Sequence, residues 1–200
     1  RMGGAVGDRF AFVGASLAER PPRNRRRDRP LVYISLGTGM HRRPGFYRAC
    51  FQALGGQALD VVLSVGEATD PAALGPAPGN FRVERRVDQL AVLAEADAFL
   101  THCGMNSANE AIFCQVPTIL FPQQGEEAAV ADRMESLGLG VRLRRETPAA
   151  IRQAVEAVLG EPRFRENAAR VAESFRAAGG AGAAADFLER VLGRKNSGRP

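Results

Sequence analysis

The stretch Ala98-Phe-Leu-Thr-His-Cys-Gly-Met-Asn-Ser107 decides the fold of this 200-residue chain, because it joins a short apolar strand to the start of a helix. The pattern predicts a buried strand over 98–101 and a helix over 106–113. The loop between them carries a histidine, a glycine and small polar residues. A short buried strand that leads through such a loop into a helix is the repeating unit of a parallel sheet.

The same alternation of strands and helices continues on both sides of this stretch. It predicts an α/β fold, a doubly wound, Rossmann-like parallel sheet of about six strands. In such sheets ligands bind beyond the carboxyl ends of the strands, so the loops that follow the strands are the candidate functional loops. The other predicted strands are 31–36, 59–65, 81–84, 117–121 and 140–143, and the other predicted helices are 46–54, 88–94, 126–137, 148–159, 162–177 and 181–192.

Residues 1–30 differ from the rest in composition, with many Gly, Pro and Arg residues and little apolar periodicity. We expect them to form an interdomain linker, or the end of a missing N-terminal domain. Residues 31–200 are predicted to form one domain that ends in helices. Because the chain begins with Arg1 rather than Met, we expect it to be a piece of a longer protein.

Composition narrows the function classes. The net charge of +5 is scattered, and the one dense basic run, 23–29, is flanked by prolines. Since no basic surface is interleaved with aromatic residues, nucleic-acid binding is not expected. No apolar run approaches the roughly 20 residues that a membrane span needs. Neither a span nor a signal peptide is predicted, and the expected location is the cytoplasm.

The three cysteines, Cys50, Cys103 and Cys114, are odd in number, and no two of them have metal-ligand spacing. We therefore expect reduced, buried thiols and no metal site.

The loop around 102–107 has the chemistry of an anion site. A helix N-terminus presents unpaired N–H groups and a positive dipole end, which favour phosphate. Gly104 allows close backbone approach, His102 can donate a ring N–H, and Asn106 and Ser107 can add donors. One turn further on, Glu110 could accept from ribose hydroxyls. The residues fit equally well an ordinary loop histidine beside a helix capped by Asn106 or Ser107.

Three other loops carry weaker signals. Thr38, in the turn after the first strand, could contact a phosphate, although the same turn also suits an ordinary strand-to-helix connection. The loop 86–89 has no specific signal alone. Glu126 and Glu127 could meet sugar hydroxyls, or they could simply favour the first turn of a helix.

Together these loops resemble the carboxyl-terminal domain of family 1 (UDP-glycosyltransferase-type) GT-B glycosyltransferases, most closely the bacterial natural-product, macrolide-type enzymes. The resemblance covers residues 31–192, and the segment 10–17 resembles the family's interdomain linker. The specific motif is Thr-His-Cys-Gly-x-Asn-Ser-x-x-Glu at 101–110. The supporting elements are Ser35-Leu-Gly-Thr38, Gln89-Leu-Ala-Val-Leu93 and Val116-Pro-Thr-Ile-Leu-Phe-Pro-Gln-Gln124.

The resemblance implies an inverting transfer from a UDP- or TDP-sugar to a small-molecule natural product, as in antibiotic biosynthesis, without metal or cofactor. The general base would lie in the missing N-terminal domain, which would also bind the acceptor. No catalytic residue is therefore expected here, and the fragment alone would be inactive. The implied donor contacts are His102 to the α-phosphate, Thr38, Asn106 and Ser107 to the diphosphate beside Gly104, Glu110 to the ribose, and the Val87 backbone to the base, with Gln89 nearby.

Three positions depart from the family pattern. Arg86 replaces a base-stacking tryptophan, although a guanidinium plane can also stack. Asp88 replaces a proline and is expected to loosen its loop. Glu126-Glu127 replaces an Asp-Gln pair at the sugar. Uridine versus thymidine and the identity of the sugar stay open. A non-catalytic nucleotide-sugar-binding subunit and a degenerate binding partner without nucleotide affinity are the alternatives.

Overall fold

The computed structural model describes residues 10–15, 17, 27–37 and 42–196. These residues contain six strands, seven α-helices and a short 3-10 turn at Pro71–Leu74. The strands are β1 (Leu31–Ser35), β2 (Asp60–Ser64), β3 (Phe81–Glu84), β4 (Ala98–Thr101), β5 (Thr118–Leu120) and β6 (Gly140–Arg142). The helices are α1 (Pro44–Leu54), α2 (Gln89–Glu95), α3 (Met105–Phe113), α4 (Gly125–Ser136), α5 (Pro148–Gly160), α6 (Pro162–Ala177) and α7 (Gly180–Asn196).

All strand pairs are parallel, and the strand order is β3-β2-β1-β4-β5-β6. This order confirms the predicted doubly wound sheet, in which the chain winds outward in opposite directions from the neighbouring strands β1 and β4. Ser35 pairs with Thr101 at the carboxyl ends of these two strands. The loops that follow β1 and β4 therefore begin side by side, at the point where this fold opens a crevice.

The central strands are buried on both faces, which explains why they appear in the sequence as continuous apolar runs. Every residue of β1 is buried. Val32 and Ile34 join the core formed with α1 and α5, whereas Tyr33 faces the opposite core. There the Tyr33 ring stacks on Phe99 of β4, with 4.7 Å between the ring centroids.

The helix boundaries follow local capping rules. Thr147 accepts a hydrogen bond from the Ala150 amide at 3.3 Å and is followed by Pro148, at which α5 begins as predicted. Asp88 has a capping role that the sequence interpretation did not predict. Its carboxylate accepts from the Ala91 amide at 3.1 Å and so caps α2.

The short segment at residues 10–15 contacts the junction between α6 and α7. The Gly180 amide donates to the Val13 carbonyl at 2.7 Å. Phe10 and Phe12 are exposed. The assignment of this segment as an interdomain linker stays a prediction. Among the helices that the structure describes, none combines the length and apolar character needed to cross a membrane.

Candidate functional site

A cleft of about 730 Å³ lies at the carboxyl edge of the sheet, where β1 and β4 diverge. Its walls come from the loops after β1, β2, β3 and β4 and from the start of α4. The predicted residues that line the cleft are Arg86, Val87, Gln89, His102, Gly104, Asn106, Ser107 and Glu126. The predicted residues Glu110 and Glu127 do not line it, and Thr38 lies outside the described residues.

His102 lies in this cleft between two glycines. A β-carbon on Gly37 would come within 2.5 Å of His102 Cε1, and one on Gly104 within 2.4 Å of Nε2. Both positions must therefore lack a side chain for the ring to occupy this place. The next residue, Cys103, has a positive φ of 68°, and its amide donates to Thr101 Oγ1 at 3.1 Å. This sharp turn directs the chain from the end of β4 into α3.

Helix α3 begins with its amides available to a ligand. Its N-cap is Gly104, and no side chain of the described residues caps the helix. Asn106 and Ser107 lie within the first turn, so neither acts as the cap that the sequence also allowed. Uncapped first-turn amides and the positive end of the helix dipole favour a bound anion. The arrangement places these groups beside His102 at the wall of the cleft.

Glu127 holds the neighbouring loop rather than opening into the cleft. It is 8% exposed, and its Oε2 accepts from the amides of Gln123 at 2.6 Å and Gln124 at 3.1 Å. The bond from the Gln124 amide belongs to the capping box of α4, and the bond from the Gln123 amide adds to it. The other oxygen, Oε1, lies 3.9 Å from His102 Nε2. Glu126, by contrast, is exposed and lines the cleft.

Burial controls the charge of His102. Desolvation lowers the pKa of His102 below its ordinary value of 6.5, and the Glu127 carboxylate opposes this by raising it. Because burial is the larger influence, the ring of the free protein is neutral at pH 7. Among the described residues, no hydrogen-bond partner reaches the buried His102 Nδ1.

A second polar group centres on Gln89, at the start of α2. Its Nε2 donates to Ser107 Oγ at 3.1 Å and to Glu110 Oε2 at 2.5 Å. Its Oε1 accepts from the Tyr33 hydroxyl at 3.1 Å. Sequence reasoning missed Tyr33. The available signal was a tyrosine within an aliphatic buried strand, because a buried tyrosine hydroxyl requires a partner.

Arg86 lies at the rim of the cleft. Its Nε is 3.9 Å from Glu67 Oε1, and both side chains are mostly exposed. Glu67, which follows β2, also lines the cleft and was not predicted. The long distance and the exposure leave the Arg86 guanidinium free to turn toward a ligand.

Within the part of the chain that the structure describes, no group of three or more His, Cys, Asp or Glu residues could hold a metal ion. The three cysteines are buried and form no disulfide bond.

Comparison with known proteins supplies the family. Residues 49–184 match the family described as "Erythromycin biosynthesis protein CIII-like, C-terminal domain". The chain belongs to this family. It is similar to GT-B glycosyltransferases of family 1, of the macrolide and natural-product type, and it corresponds to their carboxyl-terminal half. The resemblance predicted from the motif at 101–110 and its neighbouring loops is confirmed.

The matches extend over most of this chain, but this chain spans only about half the length of each relative. NDP-glycosyltransferase YjiC of Bacillus subtilis (strain 168) is 40% identical over 191 residues, which are 92% of this chain and 49% of that protein. Oleandomycin glycosyltransferase of Streptomyces antibioticus is 33% identical over 193 residues, 92% of this chain and 45% of the relative. The crystal structure of the calicheamicin glycosyltransferase CalG4 matches with a TM-score of 0.84 and 40% identity, covering 93% of this chain and 48% of CalG4.

Proposed function

We propose that this chain is the donor-binding half of an inverting glycosyltransferase and that its cleft holds the diphosphate of a UDP- or TDP-sugar. The observation that carries the proposal is the position of His102. This partly buried ring lies beside the uncapped start of α3, at the carboxyl ends of β1 and β4. Doubly wound sheets bind nucleotides at this point.

The proposed phosphate contacts need no resident metal or other cofactor. A His102 ring N–H and the first-turn amides of α3 are donors, and Gly104 allows the phosphate to approach the backbone. Thr38, which lies outside the described residues, is proposed as a further diphosphate contact on the strength of the family motif. A bound diphosphate would also favour protonation of His102, since an adjacent anion favours the charged imidazole.

The remaining groups define the rest of the proposed donor site. Gln89 and Ser107 form a polar wall of the cleft, and Glu110 supports it through its hydrogen bond with Gln89. The side chains of this wall, with Glu110, are proposed to supply the acceptors and donors that ribose hydroxyls need, while the Ser107 amide serves the diphosphate. The Val87 backbone and the Arg86 plane are proposed to meet the base. At the sugar, Glu126 opens into the cleft, whereas Glu127 is committed to the capping box. We therefore assign the sugar contact to Glu126 and a supporting role to Glu127.

The acceptor and the general base are proposed to belong to a domain outside this chain. His102 is then a phosphate ligand rather than a base, and the chain alone would be inactive. Similarity to oleandomycin glycosyltransferase favours a small-molecule natural product as the acceptor. Three buried thiols without a disulfide bond fit a reducing cytoplasm as the site of action.

Calorimetry with UDP, TDP and UMP tests the donor site directly. We expect both diphosphates to bind more tightly than UMP, because the second phosphate adds contacts at the start of α3. His102→Ala should weaken diphosphate binding by about 1.5–3 kcal/mol, the range for a charge-assisted hydrogen bond. His102→Gln, which keeps a polar donor of similar size, should lose less.

Thermal unfolding of each variant would show that the fold is retained. Equal, negligible heats for wild type with both diphosphates would contradict the proposal. They would favour instead a degenerate binding partner without nucleotide affinity.

A further inference from the structure

Tyr33 is a polar side chain fixed beneath the cleft. It is 1% exposed, and its ring stacks on Phe99 of the neighbouring strand with an interplanar angle of 10°. The two residues are also paired in the register of β1 and β4. Since the sheet and the stacked ring hold it on both sides, the hydroxyl has a defined position at the floor of the cleft.

The hydroxyl of Tyr33 and the carboxylate of Glu110 hold the Gln89 amide from its two ends. Burial raises the pKa of Tyr33 to about 12, so the hydroxyl keeps its proton at neutral pH. It donates to Gln89 Oε1 at 3.1 Å. At the other end of the amide, Gln89 Nε2 donates to Glu110 Oε2 and Ser107 Oγ. A carboxylate only accepts, so an amide turned the other way would set two oxygens against each other.

We propose that Tyr33 is a positioning residue of the donor site, which acts through Gln89 to hold Glu110 and Ser107 in the arrangement that receives the ribose. The inference rests on the proposed function, because only a bound nucleotide would use this wall. Tyr33 itself contributes no contact to the diphosphate. Loss of its hydroxyl should therefore affect the nucleoside end of the ligand and spare the phosphate end.

The test compares Tyr33→Phe with wild type, using UDP by calorimetry and inorganic diphosphate as its competitor. We expect the affinity for UDP to fall about fivefold, as for one lost neutral hydrogen bond. The affinity for inorganic diphosphate should not change. Tyr47→Phe is the matched control. Tyr47 is the only other tyrosine of the chain, is also buried, and donates to the Val65 carbonyl at 3.4 Å. It should bind both ligands as wild type does.

Nuclear magnetic resonance of the ligand-free protein adds an independent measurement. In Tyr33→Phe the side-chain amide protons of Gln89 should shift and exchange faster with water, and in Tyr47→Phe they should not. Unchanged Gln89 signals, or unchanged affinity for UDP, would overturn the inference. Equal losses for UDP and inorganic diphosphate would also overturn it, since they indicate general structural damage. If wild type binds no UDP, the proposed function itself fails.

Discussion

Gly104 lies so close to His102 that a β-carbon at that position would stand 2.4 Å from Nε2 of the ring. Its backbone, with φ −59° and ψ 142°, is one that any residue can adopt. The position therefore needs glycine for space rather than for conformational freedom. Gly37 differs, because it combines a positive φ of 72° with a similar collision, 2.5 Å from Cε1. The imidazole can therefore occupy its position only because neither neighbouring residue has a side chain.

Gly104→Ala should displace the His102 ring and weaken UDP binding about tenfold, close to the loss expected for removing the imidazole. The overpacking should also cost about 1–3 kcal/mol of unfolding free energy. Calorimetry and denaturant unfolding measure the two effects. Gly160→Ala is the matched control, because a β-carbon there meets open space at the end of α5. This variant should keep the wild-type affinity for UDP. Its unfolding free energy should rise by between a few tenths of a kcal/mol and about 1 kcal/mol. Wild-type affinity in Gly104→Ala would refute this account of the site.

The affinity for UDP should rise as the pH falls from 8 toward 6. Burial lowers the pKa of His102 below 6.5, so the free ring is neutral, and a bound diphosphate favours the proton. UDP itself also titrates near pH 6, which works in the opposite direction. The difference between wild type and His102→Gln isolates the histidine, and calorimetry in buffers of different ionisation heat measures the proton uptake.

The same lowered pKa has a consequence for the free protein. The folded state prefers the neutral ring, so this contribution to stability is present above the ordinary pKa and is lost as the pH falls below 6.5. Stability curves of wild type and His102→Gln should therefore diverge on the acid side. Identical pH dependence of both binding and stability would rule out a buried, titrating His102.

The sheet and the place of the site could be predicted from the sequence because local patterns determine them. Strand β4 and helix α6 begin and end at the predicted residues. The rule for doubly wound sheets then places His102 at the crevice. The exchange of proline for Asp88 suggested a weakened loop, although the capping preference of aspartate explains the observed bond to the Ala91 amide.

Hydrogen bonds between side chains of different strands and helices could not be predicted in this way. Tyr33 and Gln89 are separated by 56 positions, and only the folded sheet brings them together. The sequence also could not distinguish Glu126 from Glu127. Two adjacent acidic residues in a first helical turn have the same local chemistry, and the rotation of α4 decides which one is buried.

Glu127→Ala should lower the unfolding free energy by about 1 kcal/mol, since the loop loses the carboxylate that accepts from the Gln123 and Gln124 amides. It should also lower the pKa of His102 further, because Glu127 raises it. Unfolding experiments and a histidine titration by nuclear magnetic resonance measure these effects. Glu126→Ala removes an exposed neighbour outside the capping box and should change stability by less than about 0.5 kcal/mol. Equal losses in the two variants would argue against the cap.

A series at Arg86 separates stacking from charge. The Arg86–Glu67 distance of 3.9 Å, between mostly exposed side chains, should contribute little to stability. If the guanidinium plane stacks on the base, Arg86→Trp should keep or strengthen UDP binding, whereas Arg86→Lys and Arg86→Ala should weaken it several-fold. If Arg86 acts through its charge, Arg86→Lys should bind nearly as well as wild type and Arg86→Trp should lose affinity. Calorimetry across the series distinguishes the two orders, and a marked loss in Arg86→Trp would exclude stacking.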